Sequence, residues 1–436
     1  MSTARVAVVG AGLAGCEAAF QLAERGIAVD LYEMKPQKMS PAHHSGDFCE
    51  LVCSNSLRSD RIENAVGLLK AELRILGSLV LRIADETRVP AGGALAVDRD
   101  GFAASVTQAI RSHPNITIHN IEVTCVPQPP AIIATGPLTS GALAEDISRL
   151  TGEPLHFYDA AAPIVTAESL DMARVFRASR YGRGDDYLNC PMTREEYETF
   201  YRALISAETA GLHSFETPRV FEGCMPVETM AKRGEQTLCY GPLKPVGLEI
   251  EGKEPYAVVQ LRQDDKDGRL YNIVGFQTNL KFAEQKRVFG LIPGLEHAEF
   301  ARYGVMHRNT FLDSPEILRF DYQMRSVPGL YFAGQITGVE GYVESAASGL
   351  VAALSMANFL SGKPPTDFTA KTAIGSLGHY VSEYAGDDFQ PMNVTFGIMD
   401  ALPERIRKKT ARYGKIAERA LKTLEECKAA LETPDS

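Results

Sequence analysis

The stretch that decides the fold is Val6-Ala-Val-Val-Gly10-Ala-Gly-Leu-Ala-Gly15, close to the start of the chain. Residues 5–9 form a short apolar run typical of a buried strand, and residues 13–25 carry apolar positions at helical spacing before Gly26. A second predicted strand, residues 28–33, ends at Glu33, 18 positions after Gly15. A Gly-x-Gly-x-x-Gly turn between a strand and a helix, followed by an acidic residue at this distance, indicates a dinucleotide-binding βαβ unit of the Rossmann type.

The residue types in this turn suit the binding of a pyrophosphate. Gly10 permits the tight turn, Gly12 lets the backbone approach the phosphates, and Gly15 lets the helix pack closely on the strand. The helix N-terminus supplies unpaired N–H groups, and Glu33 is expected to accept hydrogen bonds from ribose hydroxyls. The predicted nucleotide-binding residues of this unit are Gly10, Ala11, Gly12, Leu13, Ala14, Gly15 and Glu33.

Two later segments indicate that the dinucleotide is FAD. Residues 131–136 are an apolar strand that ends in Ala-Thr-Gly, and residues 329–338 are another strand that ends in glycines. Both resemble the distal flavin-contacting motifs of the glutathione-reductase-like fold. Gly334 and Gln335 are therefore added to the predicted cofactor site, although most such flavoproteins carry Asp where this chain has Gln335.

The first and last flavin motifs are about 320 residues apart, so another unit must lie between them. Residues 185–305 carry short alternating strands, frequent Pro and Gly, and one predicted helix at 193–209. We predict an α/β protein whose glutathione-reductase-like Rossmann FAD-binding domain is interrupted by an α+β insertion domain. The expected ranges are 1–184 and 306–436 for the FAD-binding domain and 185–305 for the insertion.

Composition describes an ordinary globular chain of 436 residues with a formal charge of −10. No secretory signal and no apolar run of membrane-spanning length is visible, so a cytoplasmic protein with no membrane contact and eight reduced Cys residues is expected. Taken alone, the acidic total argues against a nucleic-acid partner, because Lys and Arg dominate binding to phosphates.

The charge is not evenly distributed. From Glu404 to Lys422 there are eight basic and two acidic residues, a local charge of +6, which leaves −16 on the rest of the chain. A predicted last helix over 404–432 would carry this cluster, and such segregation indicates a polyanion partner. The predicted RNA contacts are Arg405, Lys408, Lys409 and Arg412; a merely solvated helix face is the alternative.

Two cysteine contexts are candidates for chemistry. Cys49 and Cys53 follow the first βαβ unit, where redox cysteines of disulfide reductases lie over the flavin, but three residues separate them instead of two or four. His43 and His44 lie upstream, yet four-ligand zinc spacing is not reproduced, so no metal is expected. Cys224 lies in Glu222-Gly-Cys-Met-Pro226, a turn-like context, and a buried structural role is the alternative.

The chain resembles the bacterial folate- and FAD-dependent tRNA (uracil-5-)-methyltransferase (TrmFO) family. The matching segments span nearly the whole chain: 10–15, 50–58, 89–98, 221–228, 241–247, 303–309 and 332–342. The resemblance implies transfer of the methylene group of 5,10-methylenetetrahydrofolate to C5 of the T-loop uridine at tRNA position 54. It also implies that reduced FAD supplies the electrons and that NADH or NADPH reduces the flavin.

The resemblance further implies roles for individual residues. Cys224 is expected to add to C6 of uracil, because a thiolate is strongly nucleophilic and can later be eliminated. Cys53 is expected to transfer protons or support the site, and the two roles are exchangeable at this stage. His307 is expected to stack on the pterin, and Arg287 to pair with the folate. A ribosomal-RNA methyltransferase and a flavin-dependent thiol-disulfide oxidoreductase remain alternatives, and the oligomeric state is open.

Overall fold

The structure is a computed structural model, and it describes residues 5–152, 154–210 and 225–432. In chain order the strands are β1 (Val6–Val9), β2 (Val29–Tyr32), β3 (Ser56–Ser59), β4 (Arg88–Val89), β5 (Ala94–Val97), β6 (Ile116–His119), β7 (Ala131–Ile133), β8 (Leu155–Ala160), β9 (Ile164–Thr166), β10 (Phe176–Arg177), β11 (Tyr187–Met192), β12 (Ala257–Gln263), β13 (Leu270–Ile273), β14 (Phe300–Arg302), β15 (Met306–Phe311) and β16 (Leu330–Phe332).

The helices are α1 (Leu13–Glu24), α2 (Ala65–Ile75), α3 (Leu79–Glu86), α4 (Arg99–Ser112), α5 (Gly141–Thr151), α6 (Arg194–Ser206), α7 (Val227–Ala231), α8 (Thr237–Tyr240), α9 (Phe282–Phe289), α10 (Ser314–Ile317), α11 (Tyr342–Leu360), α12 (Ala373–Glu383) and α13 (Lys409–Glu432).

A parallel five-stranded sheet forms the centre of the FAD-binding unit, with strand order β16-β7-β1-β2-β6. Val6 pairs with Val29, and Ala7 with Ala131, so the glycine-rich turn leaves the sheet at its middle strand. Helices α1 and α11 pack together so closely that a Cβ at Gly349 would lie 2.2 Å from the carbonyl oxygen of Ala14. The predicted Rossmann-type α/β class is confirmed, and both distal motifs reach this sheet through β7 and β16.

The insertion is built on an antiparallel sheet with the order β10-β11-β12-β13-β9-β14. Its core contains the fully buried rings of Tyr197, Phe200, Phe276 and Phe289. Helix α6 begins after Thr193, whose side chain forms a capping box with Glu196. The predicted helix at 193–209 is therefore present, three residues shorter at its end.

The boundary of the insertion differs from the predicted one. Strands β9 and β10, at residues 164–177, precede position 185 yet belong to the insertion's sheet. Strands β8 and β15 form an antiparallel ribbon where the chain enters and leaves the insertion, with His307 opposite Asp159. We therefore propose that the insertion begins near residue 161 and ends near 305; strands as short as β9 and β10 show little periodicity in the sequence.

Helix α11 is long and apolar enough to cross a membrane, but 72% of its apolar window is buried inside the fold. It packs its small side chains against α1, as the core helix of a globular protein does. Among the described residues no second helix meets the same criteria.

The C-terminal helix is shorter than predicted. Helix α13 begins at Lys409, so Arg405 and Lys408 lie on the segment before it instead of inside it. Basic side chains oppose the partial positive charge of a helix N-terminus, which disfavours extension of the helix through this cluster. The prediction of a helix from residue 404 was wrong by five residues.

Candidate functional site

A cleft lies at the carboxyl edge of the parallel sheet. Parallel α/β sheets bind ligands at this edge, where strand order reverses. Its walls come from all three predicted flavin segments, and eight of the nine predicted cofactor-binding residues line it: Gly10, Ala11, Gly12, Leu13, Ala14, Glu33, Gly334 and Gln335. Further lining residues that were not predicted to bind the cofactor include Lys35, His43, Thr135, Thr139 and Tyr342.

Each of the three motif glycines meets a different geometric requirement. Gly10 has a φ of +99°, and a Cβ there would lie 2.6 Å from the carbonyl oxygen of Ala134. A Cβ at Gly15 would lie 1.8 Å from the carbonyl oxygen of Gly10, so only Gly permits this contact. A Cβ at Gly12 would meet no protein atom within 4 Å, because this position faces the cleft.

Glu33 is held at the edge of the cleft by backbone groups. Its carboxylate accepts hydrogen bonds from the N–H of Ala11 at 2.8 Å and from the N–H of Lys35 at 3.0 Å. The side chain is buried beside the α1 N-terminus, at the end of β2, where the acidic residue of a dinucleotide-binding βαβ unit is expected. These residues fit the adenosine and pyrophosphate parts of FAD.

The last flavin segment, residues 329–338, carries an unusual amide–carboxyl pair. The Gln335 side-chain amide donates to Glu340 Oε2 at 2.5 Å, and the N–H of Gly334 donates to Ser348 Oγ at 2.7 Å. Burial raises the pKa of Glu340 to about 8, and the nearby Asp159 charge adds to the rise. Gln335 thus takes the place of the usual Asp and partners a buried acid that is largely protonated at neutral pH.

Cys53 is bound to Tyr342, a residue of the cleft wall. The Tyr342 hydroxyl accepts hydrogen bonds from the N–H of Cys53 at 2.9 Å and of Ser54 at 3.3 Å, and lies 2.9 Å from the Cys53 sulfur. Because the two N–H groups occupy the lone pairs of the hydroxyl oxygen, its hydrogen is left to point at the sulfur. Burial raises the pKa of the Cys53 thiol to about 12; the Asp159 carboxylate adds to this, and the Tyr342 hydrogen bond opposes it.

Three arginines fix the segment that carries Cys53. Arg99 pairs with Asp264 at 2.9 Å and donates to the Leu51 carbonyl. Two more come from the insertion: Arg262 donates to Ser54 Oγ at 2.7 Å and to Asn55 Oδ1 at 3.0 Å, and Arg302 donates to the Val52 carbonyl at 3.3 Å. The position of Cys53 therefore depends on both domains.

The Cys49–Cys53 pairing of the oxidoreductase alternative receives no support from the side-chain neighbours. Cys49 is 1% exposed, and its thiol lies beside the buried thiol of Cys16. Burial is the main cause that raises the pKa of Cys16, and the contact with Cys49 raises it further. Cys53 instead contacts Tyr342. Among the described residues no group of three or more His, Cys, Asp or Glu side chains is placed to hold a metal ion.

The remaining predicted site residues are not all in one place. His307 lies on β15, and burial, aided by the charge of His44, lowers its pKa, so that the imidazole is neutral at neutral pH. Arg287 is half-exposed on α9, paired with Glu284 at 2.5 Å, and does not line the cleft. Cys224 lies outside the described residues.

The basic cluster lies at the start of α13 and does not line the flavin cleft. Arg405, Lys408, Lys409 and Arg412 are all exposed. Lys409 and Arg412 lie 5.5 and 5.3 Å from the ring centroid of Tyr413. That ring is stacked on Phe396 at 4.3 Å, so an aromatic pair organises part of the cluster.

Comparisons with known proteins agree with this architecture. The family model described as "Glucose inhibited division protein A" matches residues 5–364. The solved structure of Aquifex aeolicus GidA in its form I crystal superimposes with a TM-score of 0.71 at 16% identity, covering 98% of this chain and 76% of that one. At this identity the likeness shows the fold alone.

Curated relatives are much closer in sequence. Those from Listeria welshimeri, Acetivibrio thermocellus and Bacillus subtilis are 60%, 61% and 58% identical over 420, 424 and 429 residues. The alignments cover 95–98% of this chain and 97–99% of the relatives. Each relative is named "Methylenetetrahydrofolate--tRNA-(uracil-5-)-methyltransferase TrmFO". The chain therefore belongs to the glucose inhibited division protein A family and, within it, to the TrmFO methyltransferases.

Proposed function

We propose that this protein methylates C5 of a tRNA uridine, the T-loop uridine at position 54, with 5,10-methylenetetrahydrofolate as the carbon donor. The observation that carries the proposal is identity of about 60% over almost the full length to relatives named for this reaction. The flavin cleft, with Cys53 bound to a residue of its wall, supplies a site where such chemistry can occur.

FAD, when bound, supplies the reduction that turns the transferred methylene group into a methyl group. The chain would hold its pyrophosphate at Gly10–Gly15 and its ribose at Glu33, with Gly334 and Gln335 on the side of the second motif. NADH or NADPH would reduce the flavin from solution. The neutral imidazole of His307 would stack on the pterin, and Arg287 would pair with a folate carboxylate.

The two cysteines receive different roles in this proposal. Cys224 is the nucleophile that adds to uracil C6, which makes C5 reactive toward the one-carbon unit. Cys53 is the proton-transfer residue. A thiol with a pKa near 12 is protonated at neutral pH and can therefore serve as a proton donor, and the hydrogen bond from Tyr342 holds its sulfur in a fixed position.

The basic cluster at residues 405–412 is the proposed contact for tRNA phosphates. Four exposed cations at the N-terminal end of α13 repel one another and the helix dipole. A phosphate backbone relieves both interactions, which favours RNA over a purely solvated surface.

The experiment combines the purified protein with methylenetetrahydrofolate, NADH or NADPH, and unmodified RNA. One arm contains a tRNA transcript, and a second contains ribosomal-RNA fragments. We expect 5-methyluridine at position 54 in the first arm only. Methylation confined to the ribosomal-RNA arm would replace the proposed substrate, and turnover of disulfides without RNA methylation would favour the oxidoreductase.

A further inference from the structure

A stack of three aromatic rings crosses the surface of the insertion. Phe282 and Tyr303 have ring centroids 4.7 Å apart at an interplanar angle of 20°, and Tyr303 and Phe300 are 5.0 Å apart at 4°. Phe282 ends the stack and is 54% exposed. A phenyl ring at the end of a stack, nearly parallel to its neighbour and more than half exposed, has the geometry of a stacking platform.

The platform is held rigidly by a buried side chain. Gln285, fully buried on α9, accepts from the N–H of Gly304 at 2.8 Å and donates to the Gly304 carbonyl at 2.8 Å. It also donates to the Leu280 carbonyl at 2.7 Å. These bonds fix α9, with Phe282, against the segment that carries Tyr303, so little ordering is needed when a ligand binds.

Cations accompany the ring. Lys286 is exposed and lies one helical turn after Phe282, and positions i and i+4 share a helix face. Lys281, just before the ring, pairs with Glu208 at 2.5 Å, but both side chains are more than half exposed, and such surface pairs exchange partners at little cost. An aromatic ring flanked by exposed lysines is the combination that single-stranded nucleic acids bind.

Described residues that flank the segment with Cys224 are bonded close to the platform in the chain. Ala210 donates its N–H to the Asn279 carbonyl at 2.7 Å, and Val227 donates its N–H to the Gln277 carbonyl at 2.7 Å. Ala210 and Val227, which lie on either side of the segment that contains Cys224, thus bond to residues three and five positions before Phe282. Because Cys224 is the proposed nucleophile, the chain on both sides of it is bonded to the part of the insertion that carries Phe282.

We propose that Phe282 stacks on an unpaired base of the substrate tRNA loop, while Lys281 and Lys286 contact adjacent phosphates. The inference rests on the proposed function and adds a second RNA-contact surface, separate from the basic cluster at residues 405–412. Phe282 does not line the flavin cleft, which favours an RNA base over an aromatic part of the folate as the partner.

The test compares Phe282→Ala with Phe282→Tyr, which keeps the ring face, and with the control Tyr240→Ala, since Tyr240 is 82% exposed in the same domain. Steady-state methylation is measured while tRNA and folate are varied separately. Base–aromatic stacking predicts that Phe282→Ala raises the KM for tRNA about 5- to 150-fold. The KM for folate should stay within about twofold, and the Tyr variant and the control should behave like the wild type.

Flavin absorption and thermal unfolding check that each variant is folded. An unchanged KM for tRNA in Phe282→Ala overturns the proposal, and a raised KM for folate alone reassigns the ring to the folate. Lys286→Ala should lower the slope of log affinity against log salt by about one. Inactivity of the wild type toward tRNA would refute the proposed function instead, so the two failures are distinguishable.

Discussion

The flavin cleft and the face of α9 are two sites built by opposite means. In the cleft, the glycine turn shapes the wall, because a Cβ at Gly10 or Gly15 would collide with backbone atoms. On the α9 face, exposed side chains such as Phe282 and Lys286 form the surface, and a buried Gln285 holds it. A site made from the backbone tolerates almost no change, whereas a surface made from side chains loses affinity in small steps.

The largest expected effect is at Gly15. Gly15→Val should abolish FAD binding, because even its Cβ would lie 1.8 Å from the Gly10 carbonyl oxygen and would separate α1 from the glycine turn. Flavin absorption of the purified protein measures this. The control is Gly141→Ala at the start of α5, where a Cβ meets no atom within 4 Å and FAD should remain bound. Normal flavin content in Gly15→Val would contradict the backbone-built cleft.

Cys224→Ala should abolish methylation and leave FAD bound, since the thiol acts on uracil and not on the cofactor. Product formation and the flavin spectrum are measured together. The exposed Cys125 offers a control, and Cys125→Ala should keep full activity. Cys49→Ala separates the classes of enzyme, because loss of all activity there would favour a disulfide reductase.

Tyr342→Phe should lower kcat about tenfold or more without loss of FAD. The change removes the hydrogen that points at the Cys53 sulfur and leaves two backbone N–H groups without their acceptor. The control is Tyr380→Phe, which loses a single bond to the Gln390 carbonyl away from the cleft. Wild-type kcat in Tyr342→Phe would show that the hydroxyl does not serve Cys53.

The pH dependence of alkylation provides an independent readout. With a pKa near 12, Cys53 of the wild type should react with iodoacetamide at a rate that rises with pH and reaches no plateau below pH 10. Loss of the Tyr342 donor raises the thiol pKa further, so Tyr342→Phe should label more slowly at every pH. Faster labelling would reverse the assigned direction of the hydrogen bond.

The smallest effects belong to the basic cluster. We expect weaker tRNA binding when the cluster is neutralised together at Arg405, Lys408, Lys409 and Arg412. The slope of log affinity against log salt should fall by about one for each lost phosphate contact. Binding is measured at several salt concentrations, with Arg194→Gln on the insertion as a charge control. An unchanged slope would show that these side chains do not touch phosphates.

The backbone-built region was the part that the sequence predicts well. The spacing of Gly10, Gly15 and Glu33 indicates both the βαβ unit and the geometry found for it, because each residue answers a local backbone requirement. The Rossmann-type fold and the need for an insertion follow from such motifs. The predicted start of α13 was wrong because helical spacing alone does not report charge repulsion at a helix N-terminus.

The contacts that side chains make between distant parts of the chain could be found only from the structure. Tyr342 lies within the family segment 332–342, but its contact joins residues 289 positions apart, and no local pattern reports such a pair. The same holds for Arg262 and Arg302, which cross from the insertion to the Cys53 segment. The stack of Phe282 on Tyr303 likewise depends on how α9 docks.

The central claim is that the methyl group comes from folate carbon and is completed by reduction at the flavin. The most direct measurement supplies methylenetetrahydrofolate with two deuterium atoms on the methylene carbon, together with unmodified tRNA, NADH or NADPH, and no S-adenosylmethionine. We predict 5-methyluridine carrying two deuterium atoms at position 54, with the third hydrogen acquired during reduction. Unlabelled 5-methyluridine, or no methylated uridine in a flavin-loaded preparation, would contradict the account.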